Sequence, residues 1–533
     1  MKKIGLFLFT TLLISAAVSA QRGDPKATSE KFNTLLYYIE SMYVDSTDTE
    51  ALVEHAIRNL LEELDPHSVY ISKEELQEAN EPLNGSFEGI GVQFNIVKDT
   101  IYVISPISGG PSEKLGIRAG DKIIEVEGEA VAGVGITNND VRRLLKGPKG
   151  TRVGVGIQRK GMNDLLDFTI TRDKIPIFSV DATFMIDDDI GYIKVNRFAK
   201  TTLHELRESM ADLKDAGMKQ LILDLQGNGG GLLSTAIDMA DEFLSDDKLI
   251  VYTEGRTFPR EDTHGKRDGK FEKGNLIVLV DEGSASASEI VSGAVQDWDR
   301  GLIVGRRSFG KGLVQRPVPL PDGSAVRLTV QKYYTPSGRC IQKPYEDGVD
   351  AYRSEKYERY LTGELLSMEG IDLPDSLRYE TKLKKRSVYG GGGILPDIFV
   401  PIDTTYQSDF FSAILRAGIT NEFALNFVDP RRDQLSQQFP TMDDFLTDFV
   451  VSEEMMLDLV EFAEAQEVEY NAEQYALSEF AIKTRVKALI GRNLYDYSAF
   501  YKVVNVLNPS YRKAVEILQD GSFKKMNLAF SDF

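Results

Sequence analysis

The chain has 533 residues, which is enough for two to four domains that each bury a core of their own. Its formal net charge of −20 argues against nucleic acid as a partner, because contacts to phosphates need a basic surface. The single cysteine, Cys340, excludes an intrachain disulfide framework, and the four histidines are scattered without metal-ligand spacing. The composition remains compatible with peptide substrates.

Residues 1–20 have the pattern of an export signal. Lys2 and Lys3 form a positive start, the segment from Ile4 to Val18 is apolar, and small residues precede Gln21. Because the apolar segment is short and contains hydroxyl side chains, cleavage is favoured over a retained membrane anchor. We expect an exported, periplasmic protein, which would be membrane-associated only if the signal were retained.

Two regions are predicted to be helical. Residues 28–84 carry apolar side chains at helical spacing, including Phe32, Leu35 and Ile39. The sequence of residues 401–533 also predicts helices and is acidic, and it contains no recognisable catalytic motif. We expect a packing or oligomerisation role for this C-terminal region.

Residues 85–173 change to short strands and turns. The loop Gly89-Ile90-Gly91-Val92 leads into one strand, and a helix is predicted over Asn138–Leu145. This pattern resembles a circularly permuted PDZ domain of the bacterial kind. In such domains the loop offers N–H groups to a peptide's terminal carboxylate, while a strand edge and a helix form the groove.

Residues 174–400 alternate strands with helices, and glycine-rich loops follow several of the strands. This alternation predicts an α/β layer whose functional site lies at the carboxyl ends of the strands. Residues 342–388 interrupt the pattern as a polar insertion that is rich in tyrosine and charge.

Ser286 and Lys311 are a candidate catalytic pair in this layer. A buried strand over Leu276–Val280 ends in small residues and leads to Ser286 at the start of a predicted helix, an arrangement that presents a hydroxyl nucleophile. Lys311 follows 25 positions later between two glycines. Lysine accepts a serine proton only as a neutral amine, so its pKa must fall from about 10.4 to about 7–8. Gln315 could hold the amine in place, and the set indicates a serine–lysine hydrolase.

Simpler roles compete with catalysis at these positions. Ser286 and Glu289 fit a helix capping box, in which they only satisfy N–H groups at a helix end. Lys311 fits an ordinary surface lysine in a turn. Ser284 and Ser288 are alternative nucleophiles, and the local pattern alone leaves this choice open.

The segment from Gln226 to Gly231 forms a second glycine-rich loop after a strand. Its N–H groups, together with that of Ala287, would suit an oxyanion hole. A phosphate-binding role is excluded, because the segment lacks the Gly-Lys-Ser/Thr of a P-loop. A tight strand-to-helix turn without a catalytic role is the other interpretation.

Several motifs in order resemble the carboxyl-terminal processing, or tail-specific, proteases. The resemblance runs from about Phe32 to Val400 and includes Leu64-Asp65-Pro66-His67-Ser68, Gly89-Ile90-Gly91-Val92, Gly147-Pro148-Lys149-Gly150-Thr151, Asp224 to Gly231, Gly283 to Glu289, Phe309-Gly310-Lys311-Gly312, Tyr333 to Gly338 and Gly391 to Asp397. It implies a crotonase-like layered ββα core with an inserted PDZ domain. It also implies an endopeptidase that recognises unstructured, apolar carboxyl termini and needs no metal or organic cofactor.

By matching positions, the resemblance implies that Ser286 is the nucleophile, Lys311 the general base and Gln315 its orienter. The family's 25-residue serine–lysine interval selects Ser286 over its serine neighbours. Gly230 and Ala287 are implied as oxyanion donors, and another glycine of the same loop is the alternative to Gly230.

Gln226 departs from the resemblance, since the family usually has arginine there.

A different class of function also remains open, namely a non-catalytic peptide-binding adaptor that keeps the fold but holds Lys311 protonated or turned away. The upstream PDZ pattern disfavours a hydrolase of small acyl compounds. The expected partners are proteins or peptides with free carboxyl termini, and a second copy of the chain or an adaptor is a further candidate.

Overall fold

The computed structural model describes residues 24–107, 109–118, 120–245, 247–371, 374–526 and 528. The predicted export signal over residues 1–20 therefore lies outside the described residues. The chain divides into two compact units after Tyr70. None of the helices in the described ranges combines the length and the apolarity needed to cross a bilayer.

The first unit contains two helices, α1 (Pro25–Met42) and α2 (Thr49–Glu62). An aspartate caps each of them, because the Asp24 carboxylate accepts from the N–H of Lys26 and the Asp48 carboxylate accepts from the N–H of Ala51. Pro25 occupies the first turn of α1, where no N–H is needed. The chain continues with β1 (Val69–Ile71) and α3 (Lys73–Asn84).

A PDZ-like domain follows, and its first and last strands pair with each other. This domain contains β2 (Ser86–Gly89), β3 (Val92–Val97), β4 (Thr100–Pro106), α4 (Pro111–Lys114), β5 (Lys122–Val126), β6 (Glu129–Ala130), α5 (Asn138–Leu145), β7 (Arg152–Gln158), β8 (Leu166–Thr171) and β9 (Asp173–Pro176). Strands β2 and β9 pair antiparallel. The main sheet has the order β3-β4-β5-β7-β8, which leaves β3 at one edge.

The next region is built on a central sheet. Its elements are β10 (Val180–Met185), β11 (Ile190–Val195), α6 (Thr202–Asp215), β12 (Gln220–Asp224), α7 (Leu233–Asp241), β13 (Leu249–Glu254), β14 (Glu261–His264), β15 (Asn275–Val280), α8 (Ala287–Asp297), β16 (Leu302–Gly305), β17 (Leu313–Pro319), β18 (Ala325–Tyr334), α9 (Val349–Leu361), β19 (Arg378–Glu380), β20 (Ser387–Tyr389) and β21 (Ile398–Phe399). The central sheet has the order β10-β11-β12-β15-β16-β21. Strands β11, β12, β15, β16 and β21 run parallel, so their carboxyl ends meet at one edge.

Both faces of this sheet are buried, which explains the nearly continuous apolar sequence of its strands. In β15, Leu276 and Val278 pack on one face with apolar residues of α6, α7 and α8. Ile277 and Leu279 point to the other face. The core of this region is therefore a three-layer arrangement.

The C-terminal region is helical, and part of it completes that arrangement. Its helices are α10 (Asp409–Arg416), α11 (Ile419–Val428), α12 (Arg432–Gln438), α13 (Met442–Asp448), α14 (Glu453–Glu464), α15 (Ala472–Leu494), α16 (Tyr497–Val504) and α17 (Pro509–Gln519). Helices α10 to α15 share one apolar cluster. Ala514, Ile517 and Leu518 of α17 instead pack on the second face of the central sheet.

Candidate active site

Ser286 lies in the sharp connection between β15 and α8. Its backbone is strained, with φ +54° and ψ −108°, in a region that residues other than glycine seldom adopt. Gly230 of the neighbouring loop comes so close that a Cβ atom there would lie 2.9 Å from the Ser286 Cβ and 3.0 Å from the Ala287 nitrogen. Strain of this kind at a strand-to-helix turn is typical of an exposed nucleophile.

The two neighbouring serines are fully buried and structural. The Ser284 hydroxyl lies 2.8 Å from the carbonyl oxygen of Leu225, and the Ser288 hydroxyl donates to that of Asn228 at 2.8 Å. Ser286, by contrast, is only partly buried. Of the three serines, it is therefore the one that a substrate can reach.

The Glu289 carboxylate joins the serine turn to the lysine loop. It is fully buried, and its Oε2 accepts from the N–H of Ser286 at 2.7 Å and from that of Lys311 at 2.9 Å. Its Oε1 accepts from the Ser308 hydroxyl at 2.5 Å and the Gly310 N–H at 2.7 Å. Burial raises the pKa of Glu289, and these four hydrogen bonds oppose that rise. The predicted capping contact is present, but it is one part of a larger junction.

Tyr333 of β18 makes a second link between the same two residues. Its hydroxyl lies 3.0 Å from the carbonyl oxygen of Ser286 and 2.5 Å from that of Lys311. Burial raises the pKa of this phenol well above its ordinary value, and the Glu289 carboxylate adds to the rise. The phenol therefore stays neutral, and its single O–H hydrogen is shared between the two carbonyl oxygens.

The loop that carries Lys311 is held from the outside by the insertion. Arg359 of α9 is almost fully buried and donates to the carbonyl oxygens of Ser308 at 2.9 Å and Phe309 at 3.3 Å. Its Nε donates to Glu355 at 2.7 Å. The insertion is thus more than a surface addition, because it fixes the backbone directly before Lys311.

Gln315 lies in β17, four residues beyond Lys311. Its amide nitrogen donates to the Thr329 hydroxyl at 3.1 Å. This contact fixes the side chain against β18, and its predicted role as orienter of the lysine stays a prediction.

The glycine-rich loop packs directly against the serine turn. The carbonyl oxygen of Asn228 accepts from the N–H of Ala285 at 3.0 Å, in addition to the Ser288 hydroxyl. The N–H of Gly230 donates to the Asn228 side chain at 2.9 Å. The loop therefore brings Gly230 beside Ala287, as an oxyanion hole requires, although the Gly230 N–H is engaged within the loop.

The loop Gly89-Ile90-Gly91-Val92 of the PDZ-like domain has its carbonyl groups turned inward. The Ile90 oxygen accepts from the N–H and the hydroxyl of Ser112, and the Gly91 oxygen accepts from the Ile107 N–H at 2.9 Å. In a trans peptide the next N–H points the opposite way. The N–H groups of Gly91 and Val92 are therefore directed away from these contacts.

Comparison with known proteins identifies the regions just described. A model of peptidase family S41 matches residues 189–351, and a PDZ domain model matches residues 89–170. A family of unknown function, DUF8443, matches residues 410–496. The chain is 38% identical over 339 residues to the carboxy-terminal processing protease CtpA of Bacillus subtilis, covering 63% of this chain and 71% of the relative.

A second relative is matched over nearly its whole length. The chain is 34% identical over 433 residues to a carboxy-terminal-processing protease of Bartonella bacilliformis, which covers 78% of this chain and 95% of that protein. The chain belongs to the carboxy-terminal processing proteases of peptidase family S41. Among solved structures, the photosystem II D1 C-terminal processing protease is 28% identical with a TM-score of 0.37, and the match covers 70% of this chain and 87% of that one.

This carboxy-terminal processing protease is a serine-type peptidase with a PDZ domain, and it binds peptide or protein substrates. The predicted family, the enzyme class and the peptidase core with a helical C-terminal region are confirmed. The interpretation of the chain as a non-catalytic adaptor is correspondingly disfavoured.

Sequence reasoning missed three side chains that shape the protease site. The sequence predicts Glu289 only as a helix cap, Tyr333 only as part of a family motif, and Arg359 only as part of a polar insertion. The partners that join these side chains to the serine turn and the lysine loop lie between 19 and 51 residues away along the chain, apart from the cap itself. The one local signal was the acidic residue three positions after Ser286.

Proposed function

We propose that this protease cleaves polypeptides by a serine–lysine mechanism and selects them by an apolar carboxyl-terminal tail. The bond from Ser286 Oγ to the scissile carbonyl carbon forms while neutral Lys311 takes the hydroxyl proton. Lys311 then returns that proton to the leaving amine as the C–N bond breaks, and water hydrolyses the acyl-enzyme. Gln315 orients the amine of Lys311.

The observation that carries this proposal is the sharing of anchors by the two residues. The N–H groups of Ser286 and Lys311 bind the same oxygen atom of Glu289. Their carbonyl groups face the same phenol of Tyr333. Because Glu289 holds both N–H groups and Tyr333 contacts both carbonyl groups, the two segments have little freedom to separate. Such preorganisation favours proton transfer.

The oxyanion in this proposal is stabilised by N–H groups of Gly230 and Ala287. Gly230 then exchanges its contact with the Asn228 side chain for the oxyanion. A glycine at φ +102° can make such a change because no Cβ limits its rotation.

Tail recognition in the proposal uses the edge strand β3 of the PDZ domain. The outward N–H groups of Gly91 and Val92 bind the terminal carboxylate, and the tail pairs with β3. Phe94 and Ile96 of β3 and Leu144 of α5 are partly buried apolar side chains on the domain core, and they offer contacts for apolar residues of the tail.

Three broader parts of the proposal rest on the sequence. Residues 1–20 direct export to the periplasm, the core has crotonase-like layering, and a second copy or an adaptor assists substrate delivery. Protease protection of the protein in intact cells would test the first of these.

A matched pair of serine variants tests the mechanism. An unfolded substrate with an apolar tail is incubated with wild type, Ser286→Ala and Ser292→Ala. Ser292 is buried on the same helix, and its hydroxyl donates to the Ser288 carbonyl oxygen. We expect kcat to fall by about 10⁴-fold or more in Ser286→Ala and to stay near wild type in Ser292→Ala. Equal cleavage by wild type and Ser286→Ala would exclude Ser286 as the nucleophile, and Lys311→Met should remove activity to a similar extent.

A further inference from the structure

The glycine-rich loop begins at Gln226, which contacts a residue 282 positions away. The Gln226 side-chain oxygen accepts from the Asn508 side-chain nitrogen at 2.7 Å. Asn508 lies directly before α17, outside the stretches that match the S41, PDZ and DUF8443 models. A C-terminal helix without any assigned role therefore reaches the loop beside the nucleophile.

Both ends of the Asn508 amide are in use, so its orientation is defined. Its oxygen accepts from the N–H groups of Ser510 at 3.1 Å and Tyr511 at 3.3 Å, which caps α17. Its nitrogen is left to donate to Gln226. The short Asn508 side chain has little rotational freedom, so it fixes the loop relative to α17.

The rest of α17 is anchored on the strands that carry the other functional loops. Ala514 and Ile517 are fully buried among apolar residues of β12, β15 and β16. These three strands lead to the glycine-rich loop, to Ser286 and to the Lys311 loop respectively. Helix α17 is thus attached to the same rigid sheet as the catalytic residues.

Gln226 is also fixed through its backbone. Its N–H donates to the Asp224 carboxylate at 2.8 Å, and its carbonyl oxygen accepts from the Lys194 ammonium at 2.5 Å. Lys194 also pairs with Asp224 at 3.0 Å. The Asp281 carboxylate accepts from the neighbouring Gly227 N–H at 2.8 Å, and Asn508 adds the contact that holds the Gln226 side chain itself.

We propose that Asn508 is a positioning residue for catalysis, which holds the glycine-rich loop through Gln226 in the place where its N–H groups meet the oxyanion. This inference rests on the proposed function, because it assigns the loop to oxyanion binding. It also gives α17 a role in the reaction beyond covering the sheet. A loop that is displaced by about 1 Å can lose a large part of its catalytic effect.

Two single variants and their combination test the contact. Asn508→Ser keeps a capping oxygen for α17 but is too short to reach Gln226. Gln226→Met keeps the size of the side chain, removes the acceptor and leaves α17 untouched. We expect kcat to fall about tenfold in each, with KM within twofold of wild type. The double variant should be no slower than either single variant, because both remove the same contact.

Asn471 supplies a matched control. It caps α15 in the same way, by accepting from the Gln474 N–H at 3.0 Å, and it is exposed. Asn471→Ser should leave kcat unchanged. All rates are divided by the active fraction, measured by covalent labelling with a fluorophosphonate, and thermal midpoints are recorded, so that a folding defect is separated from a catalytic one.

The proposal is overturned if kcat per active site stays within twofold of wild type in Gln226→Met, or if the losses in the double variant multiply. A rise in KM alone would also contradict it, because the loop is assigned to the transition state. Failure of the proposed function looks different, since wild type would then neither be labelled by the fluorophosphonate nor lose activity on Ser286→Ala.

Discussion

The peptidase site and the PDZ groove differ in how their backbone groups are used. At the site, buried side chains bind the loops from several directions, and the Glu289 carboxylate alone receives four hydrogen bonds. In the groove, β3 is an edge strand, and the N–H groups of Gly91 and Val92 face away from the inner contacts. The site is built for fixed geometry, whereas the groove keeps backbone groups available for another chain.

This difference fits the roles proposed for the two regions. Stabilisation of a transition state requires donors that are already in place, since reorganisation during the reaction raises the barrier. Binding of varied tails requires main-chain pairing, which is insensitive to the side chains of the tail. We therefore expect substitutions at the site to change kcat and substitutions in the groove to change KM.

The largest effect should come from Glu289→Ala. Four donors lose their acceptor, and the turn of Ser286 separates from the loop of Lys311. We expect kcat per folded molecule to fall by about 10³-fold and the free energy of unfolding to fall by about 3 kcal/mol. Steady-state kinetics and denaturant unfolding measure the two quantities.

Asp299→Ala is the matched control for a buried carboxylate. Asp299 is fully buried and accepts from the N–H groups of Leu383 and Lys384, away from the serine turn. It should lose stability to a similar extent but keep kcat per folded molecule. Equal losses of kcat in both variants would show that Glu289 acts through stability alone.

Removal of the PDZ domain should have the next largest effect, which is a loss of selectivity between substrate tails. Gly89 of β2 pairs with Asp173 of β9, so a two-residue turn that joins them would replace residues 90–172 without breaking that strand pair. We expect about 100-fold discrimination between apolar and charged tails in wild type to fall to nearly none. Competition between two tagged unfolded substrates measures the ratio, and unchanged discrimination would exclude selection by the PDZ domain.

Regular elements of the peptidase site and of the PDZ domain could be predicted from sequence. The apolar run of β15 followed by small residues located Ser286, and the helix predicted over Asn138–Leu145 has those bounds in the structure. Both are local patterns, in which burial and helix-end chemistry are readable over a few residues. The assignment of catalytic roles to Ser286 and Lys311 stays a prediction.

The supporting side chains could not be predicted in the same way. Arg359 meets carbonyl groups about 50 residues earlier, and Asn508 meets Gln226 across 282 positions. Such contacts depend on tertiary packing, and a single sequence carries no local signal for them. The sequence shows that Gln226 stands where the family usually has arginine, but it does not show that Gln226 contacts Asn508.

A smaller effect is expected in the groove, from Leu144→Glu. Leu144 is a partly buried side chain of α5 that packs on the PDZ core. A charge there opposes contact with an apolar tail, so KM for such substrates should rise about tenfold while kcat stays unchanged. Leu165→Glu is the control, because Leu165 is 37% exposed next to β8, at the opposite edge of the sheet from β3. Equal effects of both variants, or a fall in kcat, would contradict a groove between β3 and α5.

The smallest effect concerns the contact between the PDZ domain and the C-terminal helices. Asp429 lies so close to the Gly120 turn that a Cβ at Gly120 would be 2.2 Å from its Oδ2. Burial raises the pKa of Asp429 and Asp121 adds to the rise, while Arg432 opposes it. The folded state therefore holds this proton more tightly than the unfolded state does, and stability falls as the pH rises from the unfolded pKa to the folded one.

Asp429→Asn removes this penalty without removing the side chain. At pH 7 the variant should be more stable by about 0.5 kcal/mol, and at a pH below both pKa values the gain should vanish. Thermal midpoints at the two pH values measure the difference. Asp433→Asn is the control, because Asp433 is exposed on the first turn of α12, where a charge is favourable, and it should give no gain at pH 7. A gain for Asp429→Asn that persists at low pH would mean that shape, and not charge, limits the contact between the PDZ domain and the C-terminal region.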